Sequence, residues 1–239
     1  NRDVVVARDY ADSIQASSVD PIVERTMKEL ETCYGFAWSG DFEEHYRRFY
    51  EYEKERGVEY GPEDLSNNDR YRVVADLVDR VPAGGVVLDY GCAHGHYTIN
   101  LAKRYPDKRS VGDDLVASNI VAARAWAEQE GITNVSFYEA KLDDDGQWAG
   151  LRGVQQTPLD SLKFDCVLAA EILEHVLDPV ATLNALLRRA RVGALVVLTT
   201  PIGPWEAVGY RQHHPWRAHL WHLERGDLHD MVGDFPEFS

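Results

Sequence analysis

The chain is poor in cysteine and in positive charge, and it has no long apolar run. Its three cysteines, Cys33, Cys92 and Cys166, are odd in number and form no CxxC pair. That excludes a disulfide-stapled scaffold and fits a reducing, cytoplasmic setting. Lys plus Arg total 25 against 40 Asp plus Glu, a formal net charge of −15. Nucleic-acid affinity comes largely from cations that displace counterions, so nucleic acid is not the expected partner, although a local basic groove is still allowed. No apolar stretch approaches the ~20 residues that span a bilayer. The N-terminal NRDVVVARDY carries charges where a signal peptide needs an apolar core, so membrane insertion is not expected either. The initiator Met is also missing, which hints at a processed protein or a domain cut from a longer polypeptide.

What is present supports a sizeable core. With 239 residues, 44% of them hydrophobic, the chain can bury about 70 to 75% of its unfolded surface in one main core and a smaller satellite. Residues 1–81 are charged and helical in pattern, without repeats, and read as an extension or lid. Asp41 and Glu44 have capping-box spacing, and Phe42, Tyr46, Phe49, Tyr50 and Glu53 follow on one helical face. That aromatic stripe either packs on the main domain or lines an acceptor pocket, with Tyr46 as the candidate contact. Tyr71, Val74, Leu77, Val78 and Val81 then recur at helical spacing until Pro82-Ala-Gly-Gly ends the helix.

From Val86 short apolar runs alternate with helical patterns, which signals βαβ units and a doubly wound, mostly parallel α/β sheet over 82–239. Strands are expected at 86–90, 109–113, 135–139, 164–170 and 194–200, with helices near 96–105, 117–130 and 179–191. Asp178 can cap the last helix, and Pro179 suits its first turn, where a missing N–H costs nothing.

The strand VVLDY runs into Gly91-Cys92-Ala93-His94-Gly95 and then a helix. Small residues there let a ligand approach the backbone, and the helix start offers free N–H groups. Asp114 lies some 20 residues on, at the end of the second strand, where an acid accepts hydrogen bonds from ribose hydroxyls. The turn departs from G-x-G-x-x-G, and Asp89 lies inside the preceding strand. Such an acid suits a cationic ligand better than a pyrophosphate.

LDYGCAHG, VGDDL, FDCVLAAEILEHVLDP and VVLTTPIGPWE, in this order and spacing, resemble the class I S-adenosylmethionine-dependent methyltransferase family over residues 82–235. The resemblance implies a Rossmann-like, seven-stranded sheet with S-adenosylmethionine over the carboxyl ends of the first strands. It also implies that Asp89, Gly91, Cys92, Ala93 and Gly95 flank the methionine and ribose, that Asp114 binds the ribose and that Leu115 touches the adenine. Ala93 replaces the family's middle glycine, adding one methyl that should be tolerated. Lys141 stands where the family often has an acid, so the adenine amino group falls to backbone at Lys141 and Leu142 or to Asp143. Glu171 is expected near the methionine end, and His175 is the candidate base for a hydroxyl acceptor.

Beyond the fifth strand, a long Trp-, His- and Arg-rich segment begins where this fold builds its acceptor site. Trp205, Glu206, His214, Arg217 and His219 are the acceptor candidates; Trp205, Trp216 and Trp221 could stack on a sugar face, and Arg217 could hold an anion. The histidines lack zinc-type spacing with cysteine partners, so no metal is expected. The GPWE and RAHLWH texture resembles methyltransferase domains linked to glycan-building enzymes, which favours O-methylation of a carbohydrate or similar polar hydroxyl. Open alternatives are N-methylation of a small molecule or protein, a catalytically silent cofactor-sensing or docking domain, and a nucleotide-dependent oxidoreductase or epimerase. After a helix near 224–232 only DFPEFS remains, where the resembled fold adds two closing strands, which points to a piece of a larger multidomain protein or, alternatively, to a shortened five- or six-stranded sheet.

Overall fold

The computed structural model describes residues 47–48, 61–142, 148–149, 158–201, 221, 223, 226–227 and 231. The acceptor candidates Tyr46, Trp205, Glu206, His214, Arg217 and His219 lie outside the described residues, as do the rest of the aromatic stripe and Trp216. The chain divides into two compact units, one of Tyr50–Ala170 with Asn184–Thr199, the other of Asn1–Phe49, Glu171–Leu183 and Thr200–Ser239.

The first unit holds a five-stranded sheet of β1 (Val86–Tyr90), β2 (Arg109–Asp114), β3 (Val135–Glu139), β6 (Phe164–Ala170) and β7 (Ala190–Thr199) in the order β3-β2-β1-β6-β7. Every neighbouring pair is parallel. Strands of such a sheet are buried on both faces, so they need near-continuous apolar runs; Val87, Leu88, Val111, Cys166, Val167 and Leu168 supply them. The order reverses at β1, where the chain moves outward to β2 and β3 and then returns to β6. A crevice at the carboxyl ends of such strands is the ligand position of this architecture.

Helix α1 (Asp69–Val78) is capped by the Asn68 side chain, which accepts from Tyr71 N at 3.0 Å. Its Tyr71, Val74, Ala75 and Val78 enter the same core as Val87, Leu101, Tyr105, Cys166 and Leu168. The expected period is therefore the buried one. Helices α2 (His96–Arg104) and α3 (Ala117–Gln129) follow β1 and β2, and Ile99, Ile120, Ala123 and Trp126 pack around Phe137 of β3. In α4 (Pro179–Arg189) the Asp178 carboxylate accepts from Ala181 N at 2.8 Å, the expected cap.

Most boundaries fall within one or two residues of expectation, and two features differ by more. Strand β7 starts at Ala190, four residues early, because Ala190 pairs with Phe164 ahead of an irregularity in the ladder. A two-residue ladder of β4 (Lys141–Leu142) with β5 (Trp148–Ala149) follows β3. It is too short to leave a periodic signal in sequence.

The amino edge of the sheet is closed by charge pairing. Arg191 grips both oxygens of Asp165 at 2.8 and 2.6 Å, and Asp165 also accepts from Val86 N at 2.8 Å. Burial works against ionising Asp165, but these bonds hold its carboxyl below the usual range.

Candidate functional site

The carboxyl edge has the opposite electrostatics. Asp89 is buried in β1 and its Oδ2 accepts from Thr98 Oγ1 at 2.5 Å. Burial, and then the charge of Asp114, push its carboxyl up to about 7 despite that bond. Asp114, half-buried at the end of β2, is pushed up to about 6 by burial, against three hydrogen bonds that favour its charge. Asp113, next to Asp114 in β2, is buried and lies well above the usual carboxylate range, again through burial first and then Asp114 and Asp89. Among the described residues, the charges that shift Asp89 and Asp113 are carboxylates only.

The turn after β1 is bent by residues in the left-handed region: Gly91 at φ 68°, Ala93 at φ 46° and Gly95 at φ 80°. A side chain at Gly95 would place its Cβ 2.9 Å from the Phe137 ring and 3.1 Å from Ala123. At Gly112 below the turn, a Cβ would fall 2.8 Å from both Cys92 Sγ and Phe137. Glycine at these two positions lets the turn lie directly on β2 and β3. Ala93 shows that its methyl is accommodated, at the cost of a conformation that disfavours alanine by about 1 to 2 kcal/mol. Its N–H is held by Asp114 Oδ2 at 3.0 Å. Asp114 Oδ1 accepts from Val116 N at 2.8 Å and Asn119 Nδ2 at 3.2 Å. The residue expected to bind ribose therefore also ties the turn to the start of α3.

Cys92 is buried, its thiol pushed up by burial and by the neighbouring aspartates, so it packs rather than reacts. Leu115 is half-buried beyond β2. Lys141 and Leu142 pair with Ala149 and Trp148, so the segment expected to meet adenine through its backbone belongs to a ladder.

The second unit carries the other cluster. Glu171 directly follows β6 and adopts φ 58°, a left-handed conformation rare for a side chain of its size. Such strain gathers at functional positions. His175 ends a short 3-10 turn, Leu173–His175, and is partly accessible. Its Nε2 stands 3.9 Å from Oε1 of buried Glu174, whose Oε2 accepts from Thr200 Oγ1 at 3.0 Å. Sequence reasoning named His175 as the candidate base but missed Glu174 as its partner. The signal was an acid adjacent to the candidate base, and only folding shows that it is buried. Trp221, expected as a stacking platform, is instead buried; its indole N–H donates to Val176 O at 2.7 Å and its backbone N–H to Glu174 O at 3.3 Å. It supports this turn. Among the described residues no group of His, Cys, Asp or Glu could hold a metal ion, and no helix is long and apolar enough to cross a membrane.

A doubly wound parallel sheet, a glycine-shaped turn after its first strand and an acidic carboxyl edge define a nucleotide-cofactor domain of the class I methyltransferase type. A family model described as a methyltransferase domain matches residues 66–234, and the chain belongs to that S-adenosylmethionine-dependent family. It is 36% identical over 126 residues to a ubiquinone biosynthesis O-methyltransferase of Cereibacter sphaeroides, 52% of this chain and 45% of that protein. It is 27% identical over 175 residues to a trans-aconitate 2-methyltransferase of Azoarcus sp., 66% and 62% of the two chains. Among solved structures, a candidate methyltransferase from Bacillus halodurans superposes with a TM-score of 0.52 at 18% identity, over 67% of this chain and 65% of that one. The chain spans about half the length of the ubiquinone-pathway relatives it matches.

The residues fit the family's cofactor. Three carboxyls raised by burial, two of them also by a neighbouring carboxylate, make an edge that gains by taking up a positive ligand. Asp89, the backbone from Gly91 to Gly95, Asp114 and Leu115 are the residues that would hold it.

Proposed function

We propose that the chain transfers a methyl group from S-adenosylmethionine to a hydroxyl oxygen of a carbohydrate or similarly polar acceptor. What supports the donor half is the carboxyl edge, where burial pushes Asp89 up to about 7 and Asp114 up to about 6 and no countercharge among the described residues acts on them. When bound, S-adenosylmethionine supplies an electrophilic methyl on a positively charged sulfur; the remaining requirements fall on the chain. Asp89 and Asp114 become fully ionised against that charge and hold the donor's position. The turn fixes distance and orientation, worth on the order of 7 to 11 kcal/mol in well-oriented model reactions. Loss of the sulfur's charge on transfer weakens the hold of both aspartates, which favours product release.

His175 takes the acceptor hydroxyl's proton as the oxygen–methyl bond forms and the sulfur–methyl bond breaks. Glu174, braced by Thr200, stabilises the imidazolium. The oxygen acceptor is supported by relatives named as a ubiquinone-pathway O-methyltransferase and a trans-aconitate methyltransferase. A polar, sugar-like acceptor is supported by the aromatic and basic composition of residues 205–222. Calorimetry with S-adenosylhomocysteine and NAD, followed by mass spectrometry of glycans incubated with isotopically labelled donor, tests both halves. Binding of NAD without S-adenosylhomocysteine overturns the donor; label appearing only on nitrogen overturns the acceptor.

A further inference from the structure

We infer that Asn100 and His96 of α2 are positioning residues for the donor turn, which they steady by clasping residues 61–65 to the helix as a strap. The inference rests on the donor assignment proposed above. Asn100 is buried in a helix whose other buried residues are mostly apolar, and asparagine is a poor helix former. Its side chain serves the strap instead: Oδ1 accepts from Leu65 N at 3.3 Å, and Nδ2 donates to Glu63 O at 2.9 Å and to His96 O at 2.8 Å. His96 lies one turn earlier on the same helical face, and its Nε2–H donates to Gly61 O at 3.0 Å. The strap therefore runs back from Leu65, buried in the core beside α1, to the first residue of α2.

Both fastenings meet at His96, whose carbonyl is held by Asn100 and whose ring is held by Gly61. His96 directly follows Gly95, the last left-handed residue of the turn. Thr98, on the opposite side of the helix from positions 96 and 100, donates to Asp89 at 2.5 Å. The first helical turn is thus pinned between the strap and the acid assigned to the donor. A helix start has few bonds of its own and frays. Left unclasped, this one would have to be ordered as the donor binds, at the cost of affinity. The Thr98 bond also favours the charged carboxylate, so loosening the turn makes Asp89 harder to ionise. Among the described residues, the titratable groups that interact with Asp89 are Asp113 and Asp114 of β2, Cys92 of the turn and Cys166 of β6; burial keeps both thiols neutral.

Calorimetry with S-adenosylmethionine on the full chain, from about pH 5 to 8, tests this. Wild-type affinity should rise with pH as Asp89 ionises. Asn100→Leu should bind about tenfold more weakly at neutral pH, and the pH midpoint of its affinity should lie above that of the wild type. His96→Phe, which keeps a ring beside Trp126 but loses the bond to Gly61, should shift both quantities in the same direction and serves if Asn100→Leu does not fold. A role confined to stability would lower the urea midpoint alone, so folded variants that keep wild-type affinity and pH dependence overturn the inference. Failure of the wild type to bind S-adenosylmethionine at all overturns the donor reading, and this inference with it.

Discussion

Replacing Asp89 with asparagine should stabilise the ligand-free protein while destroying its function, and the size of the gain can be worked from the structure. The carboxyl is buried and its pKa stands at about 7, against an ordinary 3.8. The folded state therefore binds this proton more tightly than the unfolded state. The stability tied to it is intact below pH 3.8 and is lost progressively as pH rises to about 7. The full loss is about 4 kcal/mol. Asparagine cannot ionise, and its amide oxygen still accepts from Thr98 Oγ1. Urea unfolding of both proteins at pH 3, 5 and 8 should show similar stability at the lowest pH, a variant ahead by about 1 to 2 kcal/mol at pH 5, and a variant ahead by about 4 kcal/mol at the highest. In thermal unfolding, a chain of this size should show a gap on the order of 5 to 15 °C. The acids titrate as a coupled group, so both proteins retain some slope with pH and the difference between them is the informative quantity. A variant less stable than wild type at pH 8, or a gap that does not change with pH, would show that Asp89 is already ionised and satisfied in the free protein, and the argument for a cation-seeking edge would fail. S-adenosylmethionine should reverse the order by stabilising only the wild type.

Four other outcomes follow from the same geometry. Asp114→Ala should lower cofactor affinity by at least about a hundredfold and cost about 2 to 3 kcal/mol of stability, since the N–H groups of Ala93 and Val116 lose their acceptor; unchanged affinity in calorimetry would remove it from the ribose site. His175→Ala should lower kcat by about a hundredfold or more with cofactor binding intact, whereas near-normal turnover with the true acceptor would exclude it as the base. Glu171→Gly should relieve the φ of 58° and raise stability by about 1 kcal/mol in urea unfolding, with lower activity if the strain serves the reaction; a loss of stability would show that the side chain earns its conformation through packing. Gly112→Ala should cost about 1 to 3 kcal/mol because its Cβ meets Cys92 and Phe137 at 2.8 Å, and a neutral result would mean the turn can lift from the sheet.

Much of the sheet and part of its acidic carboxyl edge were legible in the sequence because each rests on a local rule. Burial on both faces demands the apolar runs of β1 and β6, and a turn entering the left-handed region three times demands small residues at 91, 93 and 95. Asp114 was legible from its place at the end of β2, but its grip on Ala93 joins positions 21 apart and has no local signature. The same holds for Thr200 and Glu174, separated by 26 residues, and for Asp113, which looks like one more acid in an acidic chain until the register sets Tyr90 and Tyr138 on either side. Trp221 was misread because composition marks an aromatic residue as available for a ligand, whereas the fold had already used its ring and both its N–H groups near Val176 and Glu174. Propensity could not find the β4–β5 ladder, because two residues per strand are chosen by tertiary pairing alone.

The triple grip of Asp114 limits how the domain can be re-engineered. In nucleotide-binding folds an acid at the end of the second strand meets the ribose hydroxyls, so exchanging it is the direct route to a changed donor preference. Here that exchange would also release the turn and the first residues of α3, so a variant meant to accept a modified ribose would lose the surface that shapes the rest of the pocket. Directed evolution toward donor analogues should therefore leave position 114 unchanged and accumulate its changes at half-buried Leu115, which follows the edge without fastening it.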